Sequence, residues 1–244
     1  MNSSAKDAIY SQPQVKTGDF RFDQTVVEVF PDMIQRSVPG YNTIIESIGQ
    51  LALNYQQDNS NYYDLGCSLG AVSIAMRRSI TASNASIIAV DNSTAMIERC
   101  QRHLDAFKSA IPVNLICDDL QNVSIDNAAV VVMNFTLQFI DPSQRQQIIN
   151  SIYQGLKPGG ILVLSEKLSH GNAAGNELLI DLHHDFKRRN GYSELEISQK
   201  RTALENVMQT DSFETHQQRL QQAGFSDVVM WFKCFNFASM VAIK

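Results

Sequence analysis

The residues with the clearest chemical pattern form a glycine-rich turn between a predicted strand and a predicted helix. Asp64-Leu65-Gly66-Cys67-Ser68-Leu69-Gly70 leads directly into the helical segment 71–76. Such a turn lets the backbone approach a ligand closely, with a helix N-terminus behind it. The next predicted strand, 86–90, is followed at once by Asp91. In nucleoside-binding α/β folds an acidic residue at this distance binds the ribose, so the two features together predict an adenosyl ligand.

Further polar residues stand where predicted strands end. Asp119 follows the strand 112–117, where an acid can accept a hydrogen bond from an adenine amino group or serve only as a loop acid. Asn134 closes the strand 128–134. A buried amide must find partners, so Asn134 either caps the strand end or contacts a ligand. Asp64 can orient the glycine-rich turn or accept a hydrogen bond from an ammonium group.

Two residues outside these turns are also candidates. Arg201 shares a predicted helical face with Ile197, Leu204 and Met208. A charge on a buried face is costly unless it is paired, so Arg201 either extends to water or points inward at an anionic ligand. A planar guanidinium can bind both oxygens of a carboxylate. Tyr41 begins a helix after a Pro-Gly turn, where its ring either packs in the core or borders the ligand.

The elements that would position these residues alternate between strands and helices. Short apolar runs predict strands at 61–65, 86–90, 112–117, 128–134 and 161–165. Helical patterns between such runs are typical of a mostly parallel sheet covered by helices on both faces. The segment 225–244 alternates and predicts two antiparallel strands. We therefore expect a Rossmann-like α/β fold with ligands at the carboxyl ends of the strands.

Helices are expected before the sheet and between its fifth and sixth strands. Residues 1–58 predict an N-terminal helical cover, in which Asp23 starts a short helix that Pro31 interrupts. Residues 167–210 are polar and predict a helical insertion over the mouth of the site. The segment 211–214 then predicts a capping box, and Gly224 ends its helix.

Composition excludes several classes of protein. The chain has 244 residues, of which 44% are hydrophobic, so we expect a single domain over 1–244. Its formal net charge of -5 argues against a broad nucleic-acid-binding surface. The one short basic cluster, Lys187-Arg188-Arg189, is expected to be solvated. The four cysteines lack metal-site spacing, and His183 and His184 face different ways on a helix, so no metal is expected. Reduced cysteines, a polar start (1–16) and no apolar run of membrane-spanning length indicate a cytoplasmic protein.

The motifs resemble those of class I S-adenosylmethionine-dependent methyltransferases. Asp64 to Gly70, Asp91, Asp119, the segment 156–160 and the terminal strand pair carry this resemblance, which covers about 60–166 and 211–244. The family's fold implies a seven-stranded, mostly parallel sheet with its last strand antiparallel. Ser68 is a departure, because these enzymes usually have the middle glycine of a G-x-G-x-G motif at this position.

A closer resemblance covers nearly the whole chain. The segments 29–41, 64–70, 134–139 and 190–201 are similar to the carboxy-S-adenosyl-L-methionine synthases of bacterial tRNA wobble-uridine modification. The serine in the glycine-rich turn belongs to that subfamily's own pattern. These strings are long and unusual, so the resemblance is specific.

This resemblance implies a reaction other than methyl transfer. Prephenate aromatises to phenylpyruvate with loss of carbon dioxide and water, and a sulfonium ylide formed from S-adenosylmethionine captures the carbon dioxide. It also implies a homodimer that binds no tRNA itself. Arg201 is implied to meet the added carboxylate, with Tyr41 beside it, and the cofactor-binding residues are implied to be Tyr41, Gly66, Cys67, Ser68, Asp91, Asn92, Asp119, Leu120, Asn134 and Arg201. The alternative enzyme is a small-molecule methyltransferase on the same fold.

Overall fold

The computed structural model describes residues 5–13 and 18–244, so residues 1–4 and 14–17 of the polar start lie outside the described residues. The helices and strands, in chain order, are α1 (Gln24–Ser37), α2 (Tyr41–Asn54), β1 (Asn61–Leu65), α3 (Ala71–Ser79), β2 (Ser86–Asp91), α4 (Thr94–Asp105), β3 (Val113–Cys117), β4 (Ala128–Asn134), α5 (Pro142–Gly155), β5 (Leu156–Lys167), α6 (Ala173–Arg189), α7 (Glu194–Glu205), α8 (Phe213–Ala223), β6 (Asp227–Cys234) and β7 (Phe237–Ile243). Short 3₁₀ turns lie at Leu120–Asn122 and Leu137–Phe139.

The strands of the described residues form one seven-stranded sheet in the order β3-β2-β1-β4-β5-β7-β6. Strands β1 to β5 are parallel, and β7 is antiparallel to both β5 and β6. This confirms the predicted fold class and the antiparallel last strand. The order changes direction between β1 and β4, and a crevice forms at the carboxyl ends of strands at such a point.

Apolar side chains fill both faces of this sheet. Tyr62 and Tyr63 are neighbours on β1, and they pack into different clusters because successive strand residues point to opposite faces. On β4, Val130, Val131 and Val132 are all fully buried. Burial on both faces explains why these strands read as continuous apolar runs instead of alternating ones.

The first helix differs from its prediction. Asp23 caps α1 as expected, accepting hydrogen bonds from the backbone N–H groups of Thr25 and Val26, but Pro31 lies inside the helix without interrupting it. Proline removes one backbone donor and its hydrogen bond. The helix persists because its apolar side, including Val27 and Met33, packs in a buried cluster with Leu69 and Met96.

The helical insertion and the following elements agree with the sequence in outline and differ in detail. Helices α6 and α7 lie between β5 and α8, as predicted. The capping box predicted over 211–214 is wrong, because the N-cap of α8 is Ser212, whose side chain accepts a hydrogen bond from the backbone N–H of Thr215. Asp211 pairs instead with Arg145 and Arg219. Gly224 ends α8 in a left-handed conformation, with φ of 113°.

Candidate functional site

A cavity of about 950 Å³ lies at the carboxyl ends of the parallel strands, with residues of α6 and α7 among its lining. All the residues predicted for the site line this cavity, namely Tyr41, Gly66, Cys67, Ser68, Asp91, Asn92, Asp119, Leu120, Asn134 and Arg201. Small-molecule sites typically measure about 300–1,000 Å³. The cavity is therefore large enough for a nucleoside cofactor beside a second small molecule.

The glycine-rich turn after β1 depends on left-handed backbone conformations. The φ angles are 83° at Gly66, 49° at Ser68 and 84° at Gly70. A Cβ on Gly66 would lie 2.3 Å from Oγ1 of Thr136, so a side chain has no room there. Ser68 adopts a conformation that glycine reaches without strain, which explains the glycine that other enzymes of this fold carry at the position. Ser68 is held in place by its N–H, which donates to Oδ2 of Asp91 at 2.9 Å.

Asp91 connects the ends of β1 and β2. Its Oδ2 accepts the hydrogen bond from Ser68, and its Oδ1 accepts one from the backbone N–H of Ser93 at 2.9 Å. Burial raises the pKa of Asp91, and these two hydrogen bonds oppose that rise. A carboxylate has about four acceptor positions. Two of them stay open to donors in the cavity, which is what a pair of adjacent hydroxyl groups needs.

A hydrogen bond between Asn92 and Asp119 joins the ends of β2 and β3. Asn92 Nδ2 donates to Oδ1 of Asp119 at 2.9 Å. The neighbouring Asp118 accepts hydrogen bonds from the backbone N–H of Asp119 and from the side chain of Asn122, which fixes the turn. This end of the cavity is therefore acidic, and Leu120 adds an apolar surface to it.

The side chain of Asp64 is held by hydrogen bonds within the protein. Its Oδ2 accepts hydrogen bonds from the backbone N–H and the hydroxyl of Ser73, at 2.9 and 2.6 Å. Burial, with the carboxylate of Asp91 nearby, raises the pKa of Asp64 to about 7. Of the two roles open from the sequence, these contacts support the orientation of the turn, since they tie β1 to the first turn of α3.

Asn134 and Tyr41 offer polar groups to the middle of the cavity. Asn134 Oδ1 is buried and has no hydrogen-bond partner among the described residues. A buried acceptor without a partner is costly, and a donor from a ligand in the cavity would satisfy it. Tyr41 is half-buried at the start of α2, after Gly40 with φ of 74°. Burial and the nearby Asp64 raise its pKa, so its hydroxyl stays protonated.

The structure places Arg201 at the rim of the cavity. The buried face of α7 contains Ile197, Lys200 and Ala203, whereas Arg201 is exposed and lies at the edge of the cavity. Of the two positions that the sequence left open, exposure fits an arginine that extends toward water, although its side chain still lines the cavity. Lys200 points inward in its place, where it contacts Asp7 and Ser37.

Several buried charged residues around the cavity were not predicted from the sequence. Lys187, expected to be solvated, is only 6% exposed, and Lys167 at the end of β5 lines the same cavity. Glu166 is buried, accepts hydrogen bonds from the backbone N–H groups of Leu137 and Gln138, and has a pKa raised to about 8 by burial. Lys167 could have been predicted as a site residue, because it follows a predicted strand, as Asp91 does. Residues 5–13 and 18–244 contain no cluster of side chains suited to a metal ion.

Comparison with known proteins identifies the class first. Residues 63–160 match the methyltransferase domain family. An O-methyltransferase family protein from Burkholderia thailandensis superposes with a TM-score of 0.65 at 14% identity, covering 94% of this chain and 65% of that one. Human N-acetylserotonin methyltransferase, solved with S-adenosylmethionine, gives a TM-score of 0.58 at 15% identity, covering 91% and 55%. The fold is therefore that of the S-adenosylmethionine-dependent methyltransferases.

Closer relatives identify the family. The carboxy-S-adenosyl-L-methionine synthase of Pseudoalteromonas atlantica is 70% identical over 241 residues, covering 99% of both chains. The enzyme of the same name from Escherichia coli is 60% identical, covering 99% of this chain and 98% of its own. The chain belongs to the carboxy-S-adenosyl-L-methionine synthase family. Within the part of the chain that the structure describes, no helix has the length and hydropathy needed to cross a bilayer.

Proposed function

We propose that the protein converts S-adenosylmethionine and prephenate to carboxy-S-adenosyl-L-methionine, phenylpyruvate and water. Its product would then be the carboxymethyl donor for a separate enzyme that modifies the wobble uridine of tRNA. The observation that carries this proposal is the separation of charge within one cavity. Asp91 and Asp119 lie at the ends of β2 and β3, whereas Lys167 and Arg201 border the other side. Two ligands, a nucleoside and an anion, fit these opposite surroundings.

The cofactor's groups match the open hydrogen-bonding positions of the cavity. The free acceptor positions of Asp91 suit the two ribose hydroxyls, and Asp119 with Leu120 suits the adenine. The amino-acid end then lies toward the turn 66–68, where the buried, unpartnered Oδ1 of Asn134 can accept a hydrogen bond from its ammonium group. Tyr41 borders the reacting methyl group.

The reaction balances without an added reagent. Prephenate loses carbon dioxide and its hydroxyl group as the ring becomes aromatic, and phenylpyruvate remains. The leaving hydroxide takes a proton from the methyl group of the sulfonium and becomes water, and the resulting carbanion forms a bond to the carbon dioxide. Arg201 then binds the new carboxylate. Exclusion of water from the buried part of the cavity would strengthen the charge interactions there, and positioning carries much of the catalysis.

Incubation of the protein with S-adenosylmethionine, with and without prephenate, tests the proposal. We expect phenylpyruvate and a carboxylated cofactor to appear in equal amounts, only when prephenate is present. Chromatography with mass detection measures both. Formation of S-adenosylhomocysteine with an added acceptor, and no carboxylated species, would instead support a small-molecule methyltransferase.

We also propose that the whole chain acts as one domain in a cytoplasmic homodimer. The exposed Leu178 on α6 and Leu195 on α7 support association through the insertion, and the free cysteines Cys67, Cys100, Cys117 and Cys234 suit a reducing compartment. Sedimentation equilibrium tests the dimer, and a monomer at working concentration would contradict it.

Mixing an Arg201→Ala variant with an Asp91→Ala variant tests whether Arg201 acts across the dimer, because activity would then return in the mixture.

A further inference from the structure

Three lysines on three different elements point to one end of the cavity. Lys167 ends β5, Lys187 lies in the last turn of α6, and Lys200 lies on α7. Lys187 and Lys200 are only 6% and 5% exposed, and all three line the cavity. Buried lysines are rare in proteins unless they are paired.

Within the described part of the chain, only one of the three lysines has an anionic partner. Lys200 Nζ lies 3.5 Å from Oδ2 of Asp7 and 3.2 Å from Oγ of Ser37. Neither Lys167 nor Lys187 has a carboxylate within ion-pair distance, or a hydrogen bond from its ammonium group, among residues 5–13 and 18–244. The Lys167 ammonium lies 5.9 Å from the centre of the Phe237 ring.

The surroundings of these two ammonium groups are positive. Burial lowers the pKa of Lys187 to about 7, with further lowering from Lys200 and Lys167 and a small opposing effect of Asp7. Burial lowers the pKa of Lys167 to about 8, and Arg201 lowers it further.

Two histidines complete the set of titratable groups that face this cluster. His183 is buried and neutral, with Nε2 2.8 Å from the carbonyl oxygen of Ser37, and His184 lies beside it. No residue of this cluster other than Asp7 brings a negative charge, and Asp7 is bonded to Lys200 and to the hydroxyl of Tyr192. An anionic ligand would therefore supply what the fold lacks.

We infer that Lys167 and Lys187 form a carboxylate subsite that anchors the second substrate beside the cofactor. The inference rests on the proposed function for the identity of that substrate. Position supports it, because β5 is the neighbour of β4, where Asn134 lies, while the acidic end of the cavity is at β2 and β3. The two ligands then lie side by side along the carboxyl edge of the sheet.

The chemistry decides which carboxylate the lysines hold. One carboxyl group of prephenate leaves as carbon dioxide, so it cannot remain bound to a fixed anchor. The other belongs to the side chain that is kept in phenylpyruvate, and it carries its charge through the whole reaction. Lys167 and Lys187 therefore bind the side-chain carboxylate, and phenylpyruvate must compete for the same subsite.

Methionine substitutions test this subsite. Lys167→Met and Lys187→Met keep most of the length of the side chain and remove its charge. Lys233→Met, at an exposed position on β6, is the matched control. We expect each of the first two to raise both the KM for prephenate and the inhibition constant of phenylpyruvate by about 10- to 100-fold, the effect of losing a hydrogen bond between charged groups. The affinity for S-adenosylmethionine, measured by calorimetry, should change less than about twofold in every variant.

The pH dependence provides a readout that a purely structural role would not move. The wild-type KM for prephenate should rise as pH increases through the pKa of Lys187, about 7, because the anchor then loses its charge. This rise should be absent in Lys187→Met. In Lys187→Arg the KM for prephenate should stay low as pH increases, since arginine stays protonated.

The outcomes separate this inference from the proposed function. Absence of phenylpyruvate from the wild type would refute the proposed function before any variant is made. Turnover by the wild type, with the KM for prephenate and the inhibition constant unchanged in both methionine variants, would overturn the subsite alone. Lys187→Gln provides a second variant, in which the side chain is uncharged but polar, and the same changes are expected of it.

Discussion

Replacement of Asp91 by asparagine gives the sharpest test of how the cavity binds the cofactor. Each carboxylate oxygen already accepts one backbone hydrogen bond, from Ser68 and from Ser93, both at 2.9 Å. An asparagine keeps one of these acceptors and turns an NH₂ group toward the other backbone N–H. It therefore loses the charge at the ribose position and places two donors face to face.

The expected size of this effect follows from those contacts. A hydrogen bond to a charged group contributes about 1.5–3 kcal/mol, and the remaining amide oxygen retains part of the two ribose contacts. We expect a total loss of about 2–4 kcal/mol in binding free energy, which corresponds to roughly 30- to 1,000-fold weaker binding. The same factor should apply to S-adenosylmethionine, S-adenosylhomocysteine and adenosine, because all three share the ribose.

Calorimetry with these three ligands measures the effect, and thermal unfolding shows whether the variant still folds. Asp227→Asn, at an exposed position on β6, is the matched control. A folded Asp91→Asn variant that binds S-adenosylmethionine as tightly as the wild type would refute the placement of the ribose. So would a loss for S-adenosylmethionine that adenosine does not share.

Three further substitutions have defined outcomes. Gly66→Ala should lower the affinity for S-adenosylmethionine and the melting temperature together, because its Cβ would lie 2.3 Å from Thr136 Oγ1, and a second substitution, Thr136→Ala, should restore part of both. Arg201→Ala should weaken binding of carboxy-S-adenosyl-L-methionine by about 1.5–3 kcal/mol and that of S-adenosylmethionine much less, and equal losses in competition calorimetry would refute the assigned role. Lys187→Met should raise the free energy of unfolding by roughly 4 kcal/mol at pH 7. The pKa of Lys187 is about 7 in the folded state and 10.5 in the unfolded state, so the stability of the wild type falls as pH decreases between these two values. Urea unfolding at pH 7 and 10 checks this difference, which should shrink at the higher pH.

The sequence was a good guide wherever a local pattern determines the structure. The strands β1 to β4 lie within a residue or two of their predicted bounds, because burial on both faces requires continuous apolar runs. Asp91, Asp119 and Asn134 could be predicted to meet because the carboxyl ends of parallel strands share one edge. Strand β5 is longer than predicted, since Leu156 already pairs with Ala128 directly after α5 ends, and the register then shifts before Ile161 pairs with Val130.

What the sequence could not show depends on contacts between distant parts of the chain. Asp7 lies in a segment with no regular pattern, yet it accepts a hydrogen bond from the hydroxyl of Tyr192, 185 residues away. Lys187 belongs to a basic run that is typical of a solvated helix face, and it is buried because α6 packs against α1 and α7. Periodicity alone also extends α7 toward Met208, whereas the helix ends at Glu205.

Isotope tracing of the transferred carboxyl group tests the central claim most directly. Prephenate labelled with ¹³C in its ring carboxyl group is incubated with the protein and S-adenosylmethionine, and the cofactor is analysed by mass spectrometry. The proposed reaction predicts a carboxylated cofactor that carries the label, even when unlabelled bicarbonate is present in excess. Unmodified S-adenosylmethionine, or a carboxylated species without the label, would contradict it.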